Sequence, residues 1–246
     1  MRVAIMSDIH GNREGFSAAL DDISDRRIDQ IVLLGDYVGY GPDPEWCVDT
    51  TMRLVEAGAL AVKGNHDHAI ADPSESMNTI ARATINWTRP RLSKAQCDFL
   101  VALPLTLELG EVALVHASLN SPERWHYILD DRRAVTSFRQ TTARLIVCGH
   151  THLPTLISQD TAGTVRQHQA LTAAPVPLLR SRRWLAVVGS VGQPRDGSIA
   201  AAYAIFDTAT SEFEFRRIAY DVGTTVHKLR AAGLPEPLAI RLQKGK

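Results

Sequence analysis

A chain of 246 residues with 45% hydrophobic side chains can bury a large core, which excludes an intrinsically disordered protein. Its 27 lysines and arginines balance its 27 aspartates and glutamates, so no global field draws it to nucleic acid or to an anionic membrane. No apolar run approaches the roughly 18 residues of a membrane helix, and Val3–Met6 is too short an apolar stretch for a signal peptide. Arg180, Arg182 and Arg183 form a local basic run, of a kind that is usually a solvated face. Cys47, Cys97 and Cys148 are odd in number and widely spaced, which fits core thiols in a reducing compartment, so a cytoplasmic location is expected.

In chain order, Val3 to Met6 reads as a strand, and Asn12 can cap a helix from about Arg13 to Ser24 with Phe16, Leu20 and Ile23 on one face. Ile31 to Leu34 is a second buried strand. Asp43-Pro44 opens a helix that stops at Gly58, and Leu60 to Val62 is a third strand. This β-α-β-α-β start implies a parallel sheet with right-handed crossovers. Helices are predicted near Met77 to Thr88 and Lys94 to Ala102, then a hairpin of Leu105 to Leu109 and Val112 to Val115. A helix from Asp131 to Arg139 precedes the strand Leu145 to Cys148. Strands follow near 155–158, 164–168, 184–188, 200–206 and 213–218, then a helix near 225–231 and a polar tail. Two β-rich halves with helices outside suggest a layered α/β sandwich, read as one domain over residues 1–246.

Five islands after apolar runs carry metal-binding side chains: Asp8-Ile9-His10, Gly35-Asp36, Gly64-Asn65-His66-Asp67, Val115-His116 and Gly149-His150-Thr151-His152. In extended chain, side chains two apart project to the same side, so Asp8 with His10, and His150 with His152, can each reach a common ion. Flanking glycines such as Gly64 and Gly149 let the backbone turn beside it. In open α/β sheets, sites form at the carboxyl ends of strands, where these islands lie. Donors of Asp, His and Asn without Cys suit Mn²⁺, Fe, Zn²⁺, Co²⁺ or Ni²⁺ better than Ca²⁺. They are more than one ion needs; two ions about 3.5–4 Å apart, sharing one carboxylate, would use them all. Two divalent ions outweigh Asp8, Asp36 and one hydroxide, leaving positive charge to attract a phosphate ester. Taken singly, Asp8 could cap a helix, His116 could be a core histidine and Asn65 a turn residue. Five islands in one chain argue against five separate coincidences.

In this order the islands resemble the motif set of the calcineurin-like metallophosphoesterase superfamily, over about residues 1 to 220. The phrases Met6-Ser7-Asp8-Ile9-His10-Gly11-Asn12 and Gly189-Ser190-Val191-Gly192-Gln193-Pro194-Arg195 look like those of small bacterial and archaeal phosphodiesterases near the diadenosine-tetraphosphatase-like group. The resemblance implies a four-layer α/β/β/α sandwich of two mixed β-sheets flanked by helices. It implies one ion on Asp8, His10, Asp36 and His152, and a second on Asp36, Asn65, His116 and His150, with Asp36 bridging. His66 matches the catalytic histidine and Asp67 the acidic residue that orients it. Asn12 and Arg195 fall in loops near the site and are expected to contact substrate. The implied reaction is metal-dependent hydrolysis of a small phosphoester or nucleotide, most simply a diester, by a metal-bridging hydroxide. A protonated His66 would donate to the leaving oxygen or hydrogen-bond the phosphate.

Other classes remain comparators. A non-catalytic binding module on the same fold is disfavoured by His66 and the complete ligand set. A phosphomonoesterase of the protein phosphatase type carries an arginine beside the Asn-His-Asp motif, where this chain has His68. A nuclease would add a DNA-binding cap for which there is little room. The natural ester, homo-oligomer formation and the roles of His68 and of His126, on the Arg124–Tyr127 loop, stay open at this level.

Overall fold

The structure is a computed structural model that describes residues 1–170 and 174–246. The chain opens with β1 (Arg2–Met6), α1 (Arg13–Ser24), β2 (Gln30–Leu33), α2 (Pro44–Glu56) and β3 (Leu60–Ala61), in the expected order. β1, β2 and β3 are parallel, with Val3 beside Gln30 and Val32 beside Leu60. After α3 (Asn65–Ala71), α4 (Thr79–Thr88) and α5 (Lys94–Ala102) come the hairpin of β4 (Thr106–Leu109) and β5 (Val112–Val115), α6 (Asp131–Phe138) and β6 (Leu145–Cys148). The remaining strands are β7 (Thr155–Gln159), β8 (Val165–His168), β9 (Val176–Pro177), β10 (Arg183–Val187), β11 (Ala201–Asp207) and β12 (Glu212–Ile218). Two helices, α7 (Val222–Ala231) and α8 (Glu236–Lys244), finish the chain.

Among the described residues these strands form two six-stranded mixed sheets, ordered β3-β2-β1-β11-β12-β9 and β4-β5-β6-β10-β7-β8. The central strands show why the sequence reads as continuous apolar runs. On β6, Leu145 and Ile146 are both fully buried, yet they belong to different cores. Successive side chains leave opposite faces of a strand, and both faces here are covered. Val3, Ile5 and Val32 of the first sheet meet Leu114, Leu145 and Val147 of the second. Ala4, Met6 and Leu33 face outward onto Phe16, Ala19 and Val48 of α1 and α2. Val115, Ile146 and Leu185 face the other way onto Ala134 and Phe138 of α6. The layers are therefore α/β/β/α, with each buried Leu, Ile or Phe worth about 1.5–3 kcal/mol of transfer free energy. The edge strands differ as edges should: on β4 Thr106 and Glu108 are exposed, and on β8 Arg166, Gln167 and His168 are exposed.

Three features depart from the sequence reading. α3 occupies the Asn-His-Asp island, where no helix was expected, because Asp67 accepts the Gly64 N–H at 2.9 Å and closes the first turn from within. α8 replaces the expected polar tail. Leu238, Ala239 and Leu242 form one buried stripe against Tyr40, Val226 and Leu229, while Glu236 and Lys244 lie at the ends the helix dipole favours. The basic run is not a solvated face throughout. Arg183 donates to the carbonyls of Phe138, Thr141 and Ala143 and so ties α6 to β10. No helix among the described residues is long and apolar enough to cross a membrane.

Candidate metal centre

The parallel strands β1, β2, β3, β5, β6 and β10 all end at one rim, and each is followed by a piece of the site. The backbone there is held in an uncommon state. Asp8, His10, Asp36, His150 and His152 have positive φ of 55°, 50°, 56°, 66° and 61°. The two-residue spacing therefore works for a reason other than the expected one: the pairs are not extended but left-handed, and that conformation turns both side chains inward. Asp and His tolerate this region better than most residues, at about 1–3 kcal/mol each. Gly149 is required because a Cβ there would collide with Ser7 Oγ and Asp8 Oδ2. The loops after β6 and β1 thus touch backbone to side chain.

The donors fall into two adjacent groups. Ligand atoms of Asp8, His10 and His152 lie within 4.8 Å of one another, as do those of Asp36, His116 and His150. Asp36 Oδ2 stands between them, 3.6 Å from His10 Nε2 and 3.4 Å from His116 Nε2. The other oxygen, Oδ1, accepts the His66 backbone N–H at 2.8 Å. Asp8 Oδ1 lies 3.2 Å from His152 Nε2, and Oδ2 accepts the His150 N–H at 2.9 Å.

Tautomers can be assigned from the partners. His10, His116 and His152 each place Nδ1 on a backbone carbonyl, of Val38, Leu34 and Gln193, at 3.1, 2.7 and 2.6 Å. A carbonyl only accepts, so each Nδ1 carries a proton, and in its neutral form each ring turns its Nε2 lone pair inward. His10 Nε2 and His152 Nε2 are then two lone pairs 3.1 Å apart. Asp8 Oδ1, Asn65 Oδ1 and His150 Nε2 are buried with no hydrogen-bond partner. A buried cluster of acceptors facing acceptors is unfavourable unless a cation lies among them. The donor set fits divalent ions, and the fit rests on these orphaned atoms.

The electrostatics follow. Burial opposes charge on Asp8, but His152 outweighs it and holds the carboxyl below its usual range. Burial also favours a neutral His116, yet Asp36 and Asp8 overcome it and push the ring up to about 9. Burial brings His150 down to about 3 and His66 down to about 4. Burial and the Asp36 charge push Asp67 up to about 7.

His66 lies beside the donors, its ring 4.7 Å from His10 and 4.6 Å from Tyr40 between centroids. One of its nitrogens is within 4.8 Å of ligand atoms of both His10 and Asp36. Its Nδ1 is buried without a partner against Gly39, where any Cβ would overlap it. The opposite edge lines a small cavity. Asp67 does not orient this ring, contrary to expectation. Its two oxygens take the backbone N–H groups of Asp36, Tyr37 and Gly64 at 2.7, 2.9 and 2.9 Å. It positions the Asp36 loop instead.

Asn12 is also corrected. It is 1% exposed, its Oδ1 accepts from Gly15 N–H at 2.9 Å, and its Nδ2 donates to Gly192 O at 2.8 Å and Tyr220 Oη at 3.1 Å. Thr225 Oγ1 also donates to Oδ1, at 3.2 Å, so the hydrogen-bonding positions of Asn12 are used to tie α1 to the 189–195 loop, Tyr220 and α7, and none is left for substrate. Asn12→Ala is expected to lower stability by about 1–2 kcal/mol through loss of the cap, while KM stays unchanged. Thermal unfolding beside steady-state kinetics checks this; a raised KM with unaltered stability would return Asn12 to substrate binding.

Arg195 is half-buried in the cavity wall, with its guanidinium 5.7 Å from the Tyr40 ring centre and donating to Gln193. The cavity measures about 80 Å³ and is lined by Asp36, Asn65, His66, His150, His152 and Arg195, with Tyr40 and Tyr127. Tyr127 stacks on the ligand candidate His150, 4.1 Å between centroids and 20° between planes. Trp125 lies 6.0 Å from His116. Sequence reasoning noted their loop but assigned neither ring, and Tyr40 was missed. Its only local signal was an aromatic among glycines in Gly39-Tyr40-Gly41. His68 points away, with Nε2 3.6 Å from both Asp72 and Glu75.

Known proteins resemble this chain over most or all of its length. The calcineurin-like phosphoesterase superfamily domain matches residues 1–211. The uncharacterized protein MJ0912 of Methanocaldococcus jannaschii is 34% identical, covering 99% of this chain and 98% of its own. The crystal structure of a metallophosphoesterase from Sphaerobacter thermophilus superposes with a TM-score of 0.89 at 36% identity, covering 100% of both chains. The hypothetical protein PH1004 of Pyrococcus horikoshii OT3 shares the fold, with a TM-score of 0.80 at 21% identity over 100% of this chain and 98% of that one. The chain belongs to the calcineurin-like phosphoesterase superfamily and is a metal-dependent phosphoester hydrolase of the kind that uses two divalent metal ions.

Proposed function

We propose that the chain is a binuclear phosphodiesterase acting on small phosphoesters or nucleotides. The observation that carries this reading is the double cluster of inward-facing acceptors with Asp36 Oδ2 between its halves. Asp8, His10, Asp36 and His152 would hold one ion, and Asp36, Asn65, His116 and His150 the other. Bound there, the ions supply Lewis acidity toward phosphoryl oxygens and make water a nucleophile near neutral pH. The chain's own residues do the rest. Arg195 binds a phosphoryl oxygen. His66 presents its free edge to the phosphoryl or leaving oxygen as a hydrogen-bond donor, held against Gly39 rather than by Asp67. Asp67 fixes the loop that carries Asp36. Trp125 and Tyr127 limit access of bulk water to the donors.

Arg195 is the one lysine or arginine lining the small cavity among the described residues, which suits a diester with its single charge. The protein phosphatase alternative would use an arginine beside the Asn-His-Asp motif, and His68 instead faces Asp72 and Glu75. Ligands drawn from both sheets support reading residues 1–246 as one domain, and buried thiols at Cys47 and Cys148 support a cytoplasmic placement. The test strips the protein and reloads it with Mn²⁺, Ni²⁺, Zn²⁺ or Mg²⁺, then compares bis- with mono-(p-nitrophenyl) phosphate. Diester turnover should dominate; two bound ions with no diester turnover would favour a binding module. His66→Ala is expected to cut turnover about 10²–10⁴-fold with metal content unchanged. If that variant loses its ions, His66 is a ligand and the assignment fails.

A further inference from the structure

The metal cavity of about 80 Å³ is small beside the roughly 300–1,000 Å³ of small-molecule sites, so an organic arm would extend beyond it. It opens into a second chamber of about 580 Å³, within the roughly 300–1,000 Å³ range of small-molecule sites. Asn65, Ser76, Tyr127 and His150 line both. Tyr127 stands at the junction with one face on His150 and is still 47% exposed. Its loop is fixed in place: Trp125 and Ile128 are 7% and 4% exposed, and the Trp125 indole N–H donates to Glu75. Ser121 and Trp125 adopt positive φ of 55° and 52° around the turn between them. Strain of this kind persists where packing holds it, and it aims the next residue.

Arg133 also lines the second chamber. Its guanidinium has no hydrogen-bond or ion-pair partner among the described residues. It is exposed in the first turn of α6, where the helix dipole disfavours a cation, so its donors are free to meet a ligand in the chamber. The other lining groups mix charge with apolar surface, Arg124, His126 and Asp130 standing beside Trp125 and Leu129.

We infer that this chamber is a subsite for a planar nitrogen heterocycle of the nucleobase class, stacked on Tyr127 with Arg133 donating to its acceptor edge. The inference rests on the phosphodiesterase reading, which puts the phosphoryl group in the metal cavity next door. An aromatic ring stacks on any base, and a guanidinium can serve two acceptors on a base edge at once.

The experiment measures binding of adenosine 5′-monophosphate, ribose 5-phosphate and inorganic phosphate to the Mn²⁺-loaded full-length protein by calorimetry. The three share a phosphate, and only the first carries a base. The nucleotide should bind about 10-fold or more tighter than the sugar phosphate, the effect of one base stack. Tyr127→Ala should reduce that ratio to about twofold or less, Tyr127→Phe should keep it, and Arg133→Ala should lower it in part. Equal affinities in the wild type, or a preference that survives Tyr127→Ala, would overturn the subsite. Failure of the hydrolase reading is read separately, as absent diester turnover by protein holding two ions.

Discussion

Asp36→Asn is expected to lose metal from both positions and to lower diester turnover at least about 10³-fold, a loss of about 4 kcal/mol of transition-state stabilisation. The substitution keeps the shape of the side chain, so the effect isolates its charge and its acceptor atom. Asp36 Oδ2 lies near ring nitrogens of both clusters, at 3.6 Å from His10 and 3.4 Å from His116. An amide at that point can present N–H to the same two lone pairs. It would satisfy the cluster without a cation and so compete with metal binding. Asp8→Asn is a useful contrast, because Asp8 groups with His10 and His152 only and should empty one position. Elemental analysis per chain, beside kcat on a common diester, decides the matter. Two ions retained in Asp36→Asn, or turnover within tenfold of wild type, would refute the shared role.

Metal removal should cost stability as well as activity, and this is the second large effect. In the metal-free protein the buried cluster holds lone pairs at 3.1 Å, orphaned acceptors on Asp8, Asn65 and His150, and five ligand candidates at positive φ. Nothing in an unfolded chain forms such a site, so metal binds the native state almost exclusively. At a thousandfold excess over Kd, one ion adds about 4 kcal/mol of stability. For a chain of this size each kcal/mol moves Tm by about 2–4 °C, so saturating Mn²⁺ should raise Tm by about 8–16 °C. The same titration on Asp36→Asn should give almost no rise. Calorimetry or thermal fluorescence of stripped and reloaded protein measures both. A shift under about 2 °C at saturation, or an equal shift in the variant, would mean that the cluster is stable without ions.

Much of this molecule was readable from local pattern. Val3–Met6, Leu145–Cys148 and the other central strands are apolar throughout because both faces are covered, and such runs stand out in any window of sequence. Asn12 as a cap and Pro44 in a first turn announce helix starts through short-range chemistry. α8 was less legible because only Leu238, Ala239 and Leu242 carry its buried stripe, between Glu236, Arg241 and Lys244. What buries that stripe is Tyr40, Val226 and Leu229, and nothing near residue 240 in sequence signals a partner at Tyr40.

The candidate metal-binding side chains, and their delivery at strand ends, were legible in the sequence alone, since residue type and position after an apolar run are local properties. The tertiary structure decided how those side chains are used. It put Asp36 between two clusters that each draw on both sheets, and it gave Asp67 to backbone N–H groups rather than to the His66 ring. It spent Asn12 on Gly192, 180 residues away. It also laid Tyr127 on His150 at the mouth of a second chamber. The reason is common to all four. A carboxylate, an amide or an aromatic ring binds whichever group packing brings within about 3 to 4 Å, and that neighbour is set by how the layers meet, not by the residues on either side in the chain.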